Sequence, residues 1–211
     1  MTPDATVRLA AARLLVHPDE HMYQQLPLIR EVSEGLDGGP DGHLAAFLAH
    51  MDEARPLDLA AHHASVFDTR NRRCPYLTWW TDGDTRNRGL SLVRVKSVYR
   101  EHGLEFGGEE LPDYLPVMLE FAALEPAAGT ALLQEHRAGL ELLRLALTEH
   151  GTPYAHLLQA VCATLPGPSP ATREEAKALA RQGPPRESVG LEPLGPGIEL
   201  PWPALPERTP A

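Results

Sequence analysis

Apolar residues recur at helical spacing along most of the chain, and this periodicity limits the possible folds more than any other feature does. Positions i, i+3 or i+4, and i+7 are apolar in three stretches: Val7, Ala11, Leu14 and Leu15; Leu44, Phe47, Leu48 and Met51; and Leu57, Ala60, Ala61, Ala64 and Phe67. Residues at this spacing share one face of a helix, and each such face must be buried against another element. The sequence therefore predicts an all-α fold, a single-domain helical bundle.

Proline and glycine residues mark the expected ends of these helices. A proline in the first turn removes no hydrogen bond, because the backbone N–H at that position has no partner within the helix. This predicts helix starts at Pro3, Pro18, Pro56 and Pro153. Glycine commonly follows the last turn, which predicts helix ends at Gly35, Gly103 and Gly151.

One long, central helix is predicted over residues 126–150. Its charged side comprises Arg137, Glu141 and Arg144, and its apolar stripe comprises Leu133, His136, Leu140, Leu143 and Leu147. A lone histidine in such a stripe is more often a hydrogen-bonded core residue than a ligand. We therefore assign His136 a structural role.

Residues 90–99 fit two patterns. Val93 and Val95 alternate as in a strand, but a single strand would have no partner in an otherwise helical chain. We therefore predict a helix here, with Asp84 as its N-cap. In the next stretch, Asp113 is expected to cap a helix that carries Pro116 in its first turn.

The character of the sequence changes after residue 166. Residues 167–182 are polar and are predicted to form a linker with a short helix. Residues 183–211 contain eight prolines, which prevent a helix from propagating. We predict a partly disordered tail, with a course across the surface through Leu191, Ile198 and Trp202 as the alternative.

The formal net charge of −10 argues against a general nucleic-acid-binding protein, which would present a basic surface to phosphates. Residues 70–100 are locally basic, and Arg86 and Arg88 within them are candidate contacts for an anionic group. Pairing of these cations with the acidic remainder of the chain is the favoured interpretation. Overall, the acidic balance favours cationic partners.

The two cysteines, Cys74 and Cys162, lie 88 positions apart and form no metal-binding or redox motif. Unpaired thiols are typical of a reducing compartment. The sequence also shows no secretory signal and no apolar run long enough to span a bilayer. We therefore expect a cytoplasmic protein that is not inserted in a membrane. We also expect a monomer, with a dimer as the alternative.

Residues 74–88 combine aromatic side chains, acids and arginines around a glycine-containing turn. Large rigid rings provide contact area at a small loss of conformational entropy, and carboxylates bind cationic side chains. Such a segment suits a peptide-binding surface. Tyr76, Trp79 and Trp80 also have the spacing of the buried face of a short helix, and one face can do both.

Candidate catalytic groups are sparse. His17 and His21 belong to an H-x-x-E-H pattern found in one class of zinc proteases, but Pro18 is expected to leave His17 outside the helix. His62 and His63 point about 100° apart on a helix, which favours a solvated face over a metal site. We predict that the protein is not an enzyme, and a zinc-dependent hydrolase using His17 and His21 remains the alternative.

Four ordered blocks carry a family resemblance: YLTWWTDGDTRNRGLSLVRVKSVYREHG, ELPDYLPVMLEFAAL, EHRAGLELLRLAL and PYAHLLQAVCATLP. With them, about residues 7–166 resemble the NarJ-type nitrate reductase assembly chaperones, part of the broader TorD-like group. The resemblance implies an all-helical chaperone domain over residues 1–166. It also implies binding of the N-terminal segment of the apo catalytic subunit of respiratory nitrate reductase, or of another molybdoenzyme.

The resemblance further implies that such a chaperone assists molybdenum cofactor insertion into its client and holds no permanent cofactor or metal of its own. The family's block ending in Asp-His is matched here by Asp113 and Tyr114, so no role of that imidazole is carried over. The predicted client-binding residues are Tyr76, Leu77, Trp79, Trp80, Asp82, Asp84, Asp113, Tyr114 and Glu120. An adaptor that binds partners through its proline-rich tail is the alternative without chaperone function.

Overall fold

A computed structural model describes residues 1–34, 40–69, 73–107 and 110–182. Within them the chain forms eleven helices: α1 Pro3–Leu15, α2 Glu20–Glu34, α3 Pro40–Glu53, α4 Pro56–Phe67, α5 Leu77–Asp82, α6 Arg86–Glu101, α7 Leu115–Leu124, α8 Pro126–Glu135, α9 Arg137–His150, α10 Tyr154–Ala163 and α11 Arg173–Gln182. The predicted all-α bundle is confirmed. The predicted tail and the helix end at Gly35 lie outside the described residues.

The bundle has α1 and α10 near its centre. Helix α1 packs against α7 and α10, and α10 packs against α3 and α9. Helix α7 contacts α8, while α9 contacts α5 on one side and α11 on another. The core contains the fully buried rings of Phe47 and Tyr154, whose centroids lie 5.0 Å apart. No helix in the described part of the chain is both long and apolar enough to cross a membrane.

Two of the four helix starts predicted from prolines are confirmed, and Pro153 is the N-cap of α10, which begins one residue later at Tyr154. Helix α1 begins at Pro3 and α4 begins at Pro56, and in α1 the Thr2 hydroxyl accepts the Ala5 N–H at 3.2 Å. The predicted start at Pro18 is wrong by two residues. Helix α2 begins at Glu20 because Asp19 acts as its N-cap, with Oδ1 accepting the Met22 N–H at 2.8 Å.

The prediction of one helix over residues 126–150 is wrong. The chain turns at His136, where φ is −99° and ψ is 16°, and this turn separates α8 from α9. A Cβ atom on Gly129 would lie 2.1 Å from the Ala122 Cα, so the absence of a side chain lets α8 lie directly on α7. His136 is buried, as predicted, and burial lowers its pKa.

The predicted buried face of α4 is confirmed at Phe67 but is wrong at Leu57. Leu57 is 79% exposed, and the buried residues are Leu59, His63, Val66 and Phe67. The His63 ring enters the core because its Nε2 bonds to the Leu15 carbonyl at 3.0 Å. Burial lowers the pKa of His63, so the ring is neutral there, and the prediction of a solvated histidine face does not hold at this position.

Helix α6 confirms the helical interpretation of residues 90–99 and buries Val95 and Tyr99. Its N-cap is Thr85, and Asp84 lies outside the helix. Both cysteines in the described residues are free thiols, half-buried at Cys74 and buried at Cys162.

Residues after 166 are tied to α9 through the buried carboxylate of Glu141. Its Oε1 accepts from Arg137 Nε at 2.7 Å and from the Ser169 hydroxyl at 2.8 Å, and its Oε2 accepts from Arg144 Nε at 2.5 Å. Arg144 Nη2 also donates to the Pro170 carbonyl at 2.6 Å. Helix α11 then packs on α9 with Ala176 fully buried, so residues 167–182 lie against the bundle.

Candidate functional site

The segment before α5 is joined to the segment before α7 by an isolated antiparallel bridge between Tyr76 and Tyr114. The Leu77 N–H donates to the Asp113 carbonyl at 3.1 Å, and the Leu115 N–H donates to the Pro75 carbonyl at 2.7 Å. Two stretches that are far apart in sequence are thereby fixed side by side. This places the aromatic residues of α5 next to the start of α7.

Asp113 lies beneath this bridge and is fully buried. Its Oδ2 accepts the Thr78 N–H at 3.1 Å and the Thr78 hydroxyl at 2.5 Å. Asp113 therefore caps α5. The prediction that Asp113 caps α7 is wrong, because the N-cap of α7 is Tyr114. A carboxylate with no solvent exposure cannot contact a client directly, so Asp113 is removed from the predicted contact residues.

Leu77 is also fully buried and belongs to the core, so it too is removed from the contact residues. Helix α5 lies very close to α9 at this point. A Cβ atom on Gly139 would be 2.5 Å from the Leu77 carbonyl oxygen, so only glycine permits this approach without displacement. The buried Leu77 and the glycine in α9 together fix the position of the short helix.

Four half-buried aromatic residues remain accessible, and we call them the aromatic surface: Tyr76, Trp79, Trp80 and Tyr114. The Tyr76 and Tyr114 rings pack with centroids 5.4 Å apart. Trp80 packs partly against the core, and its Nε1 donates to the Cys74 carbonyl at 3.0 Å. The rings of the aromatic surface are thus held by packing within the protein, and each ring also remains partly accessible to solvent.

The two tyrosines of the aromatic surface are uncharged at neutral pH. Burial raises the pKa of Tyr114 to about 12, and burial together with the nearby Glu110 carboxylate raises that of Tyr76. The Tyr76 hydroxyl donates to Glu110 Oε2 at 2.8 Å. The surface therefore offers neutral rings next to a carboxylate.

The charged candidates occupy different environments. Asp84 and Arg86 are exposed, and Asp82 is half-buried. Arg88 is turned inward, with its guanidinium carbon 5.6 Å from the centre of the Trp79 ring and Nη2 3.9 Å from Asp113 Oδ2. Arg88 is therefore engaged within the protein, as the preferred interpretation of the basic segment predicts. Arg94 likewise pairs with Glu135.

Glu120 lies on α7, away from the buried Asp113, and its side chain is 37% exposed. Its Oε1 forms an ion pair with Arg13 Nη1 at 2.7 Å. The predicted contact residues Glu120 and Asp113 therefore do not share a groove, because Asp113 faces the protein interior. Glu120 remains accessible to a cationic group.

The two histidines of the zinc hypothesis have separate surroundings. The His17 ring packs edge-on against His63 with centroids 5.3 Å apart, and His21 Nε2 bonds with Gln25 Nε2 at 2.7 Å. Across residues 1–34, 40–69, 73–107 and 110–182, no three histidine, cysteine or acidic side chains cluster as a metal site would require.

Sequence reasoning missed three residues that shape this site: Thr78, Glu110 and Gly139. Thr78 gives no signal in the sequence, because its partner Asp113 is 35 positions away. Gly139 could have been found, since a glycine inside a leucine-rich helix indicates a close backbone approach. Glu110 lies in a block of acids whose individual roles the sequence does not distinguish.

Comparisons with known proteins agree with this architecture. A family model described as "Nitrate reductase delta subunit" matches residues 34–160. A solved structure of a putative redox enzyme maturation protein from Archaeoglobus fulgidus superposes with a TM-score of 0.58 over 75% of this chain and 90% of that one. Its sequence identity is 21%, so the likeness concerns the fold.

Curated relatives match most of the chain. The nitrate reductase-like protein NarX of Mycobacterium tuberculosis H37Rv is 40% identical over 155 residues, which are 73% of this chain and 23% of NarX. The probable nitrate reductase molybdenum cofactor assembly chaperone NarJ of Bacillus subtilis is 31% identical, covering 78% of this chain and 91% of that protein. NarJ of Escherichia coli K12 is also 31% identical, covering 69% of this chain and 64% of that protein.

This chain thus spans about a quarter of NarX but nearly the whole of the Bacillus relative. The family model covers more than half of the chain and includes all four residues of the aromatic surface as well as α9, on which α5 packs. The chain belongs to the nitrate reductase delta subunit family.

Proposed function

We propose that this protein is a chaperone for the apo catalytic subunit of respiratory nitrate reductase. It binds the N-terminal segment of that subunit in the cytoplasm and holds the subunit ready for molybdenum cofactor insertion. The aromatic surface carries the proposal, because it offers accessible rings fixed from beneath by Asp113 and Leu77. The names of the Bacillus and Escherichia relatives support the same role.

The surface suits a client segment with one apolar and one basic side. The apolar side would lie on the rings of Tyr76, Trp79 and Tyr114, which are rigid and lose little conformational entropy on binding. Basic side chains would meet the accessible carboxylates, of which Asp84 lies next to α5. The net charge of −10 favours approach of such a segment.

Chaperone action follows from preferential binding of the immature client. Binding lowers the free energy only of the state that presents the segment, so an incomplete subunit is stabilised and a finished one is released. The chaperone forms and breaks no covalent bond in this scheme. The cofactor enters the client and does not stay with the chaperone.

Co-purification tests the proposal. Tagged full-length chain is isolated from nitrate-respiring cells, and the bound proteins are identified by mass spectrometry. We expect recovery of the catalytic subunit in its cofactor-free form, and loss of that recovery when the subunit lacks its N-terminal segment. Failure to recover the intact subunit, or equal recovery of the truncated one, would contradict the proposal.

A further inference from the structure

A mostly apolar cavity of about 160 Å³ lies between α7 and the chain that follows α6. Leu104 and Phe106 form one side, and Val117, Phe121 and Leu124 form the other. Large apolar side chains remain accessible here, since Leu104 is 36% and Leu124 is 65% exposed. Accessible apolar residues around a concave surface are characteristic of binding sites.

The cavity continues the aromatic surface along α7. Tyr114, Val117, Phe121 and Leu124 are spaced i, i+3, i+7 and i+10, so they lie on one side of this stretch. Tyr114 joins this side to Tyr76 at one end, and Leu124 borders the cavity at the other. At a rise of about 1.5 Å per residue, the path is about 15 Å long.

Carboxylates accompany this apolar path. Glu110 lies at the tyrosine end, where it accepts the Tyr76 hydroxyl, and Glu105 and Glu120 border the cavity. Glu120 is shared with Arg13, whereas Glu105 is exposed. The only cation described over the cavity rings is Lys96, whose Nζ lies 5.5 Å from the centre of Phe106. Arg13 is a second cation beside the cavity, so three carboxylates along the path, Glu110, Glu105 and Glu120, face two cations, and the remaining negative charge favours a cationic ligand.

We propose that the cavity binds an apolar side chain of the client segment, while basic residues of the same segment meet Glu105 and Glu120. This inference rests on the proposed function and extends the client site along α7. A segment that reaches from Tyr114 to Leu124 needs about ten residues if it is helical and about five if it is extended. The ligand is thus a peptide with an apolar anchor and flanking lysine or arginine.

Isothermal titration with a synthetic peptide tests this site. The peptide carries the N-terminal sequence of the nitrate reductase catalytic subunit from the same organism, and the full chain is titrated as wild type, Leu124→Glu and Leu57→Glu. Leu57 is the matched control, because it is an exposed leucine on α4, which does not line the cavity. We expect Leu124→Glu to weaken binding about tenfold or more and Leu57→Glu to leave it unchanged.

Thermal melting accompanies the titration, and Leu124→Gln, which adds no charge, provides a second variant if Leu124→Glu lowers the melting temperature. Weaker binding by a Leu124 variant with wild-type melting supports the cavity as part of the site. Wild-type affinity in a folded Leu124 variant would overturn this inference and leave the proposed function standing. Absence of peptide binding by the wild-type protein would overturn both.

Discussion

Replacing Glu141 with alanine is expected to lower the free energy of unfolding by about 3 to 5 kcal/mol. The carboxylate is fully buried and accepts hydrogen bonds from Arg137, Arg144 and Ser169. Its removal leaves two guanidinium groups in the protein without their counter-charge, since the Arg137 and Arg144 side chains are only 7% and 12% exposed. Urea denaturation of both proteins measures the difference.

Glu149→Ala is the matched control for this prediction. Glu149 also lies on α9 and pairs with the C-terminal part of the chain, through Arg173 Nη2 at 2.7 Å, but its side chain is 72% exposed. An exposed pair contributes at most about 1 kcal/mol. Limited proteolysis of Glu141→Ala should in addition cut near Ser169 and Pro170. Equal, small effects of both substitutions would show that the buried carboxylate does not hold this segment.

Asp113→Ala is expected to lower the free energy of unfolding by about 1 to 3 kcal/mol and to weaken client binding as well. The substitution leaves the buried Thr78 N–H and hydroxyl without their acceptor and removes the counter-charge of Arg88. Helix α5 then loses its cap and with it the fixed position of Trp79. Thermal melting and peptide titration of the same samples measure both effects.

The control for Asp113 is Asp84→Ala, an exposed carboxylate just after α5, where we expect a change in stability below about 0.5 kcal/mol. Asp113→Asn distinguishes a role in positioning α5 from direct contact with the client. Its amide oxygen can still accept the Thr78 N–H, so we expect both stability and binding to be partly restored relative to Asp113→Ala. Loss of binding by Asp113→Asn at wild-type stability would instead indicate direct contact with the client, contrary to the burial of this residue.

The sequence predicts the local structure better than the contacts between helices. Apolar spacing identifies α1 and α6, and proline positions give the starts of α1 and α4, because these signals act within one turn of a helix. The break at His136 is set by how α8 and α9 pack on different neighbours, which no local pattern records. For the same reason the apolar spacing of α4 includes the exposed Leu57 and omits the buried Leu59.

At the candidate site, too, the sequence predicts local features but not contacts between distant residues. The composition of residues 74–88 identifies the surface, since aromatic rings and carboxylates occur together in this one segment. The sequence does not show that Asp113 caps a helix 35 positions away, or that Leu77 lies in the core. Both follow from the bridge between Tyr76 and Tyr114, a contact between distant parts of the chain.

The central claim is that a client segment binds along α5 and α7, and hydrogen–deuterium exchange of the full chain tests this location most directly. Exchange is measured with and without a peptide that carries the N-terminal sequence of the catalytic subunit. We predict slower exchange on peptide binding in residues 76–84 and 110–124, and unchanged exchange in α2 and α4. Protection confined to other helices, with residues 76–84 and 110–124 unaffected, would contradict the account.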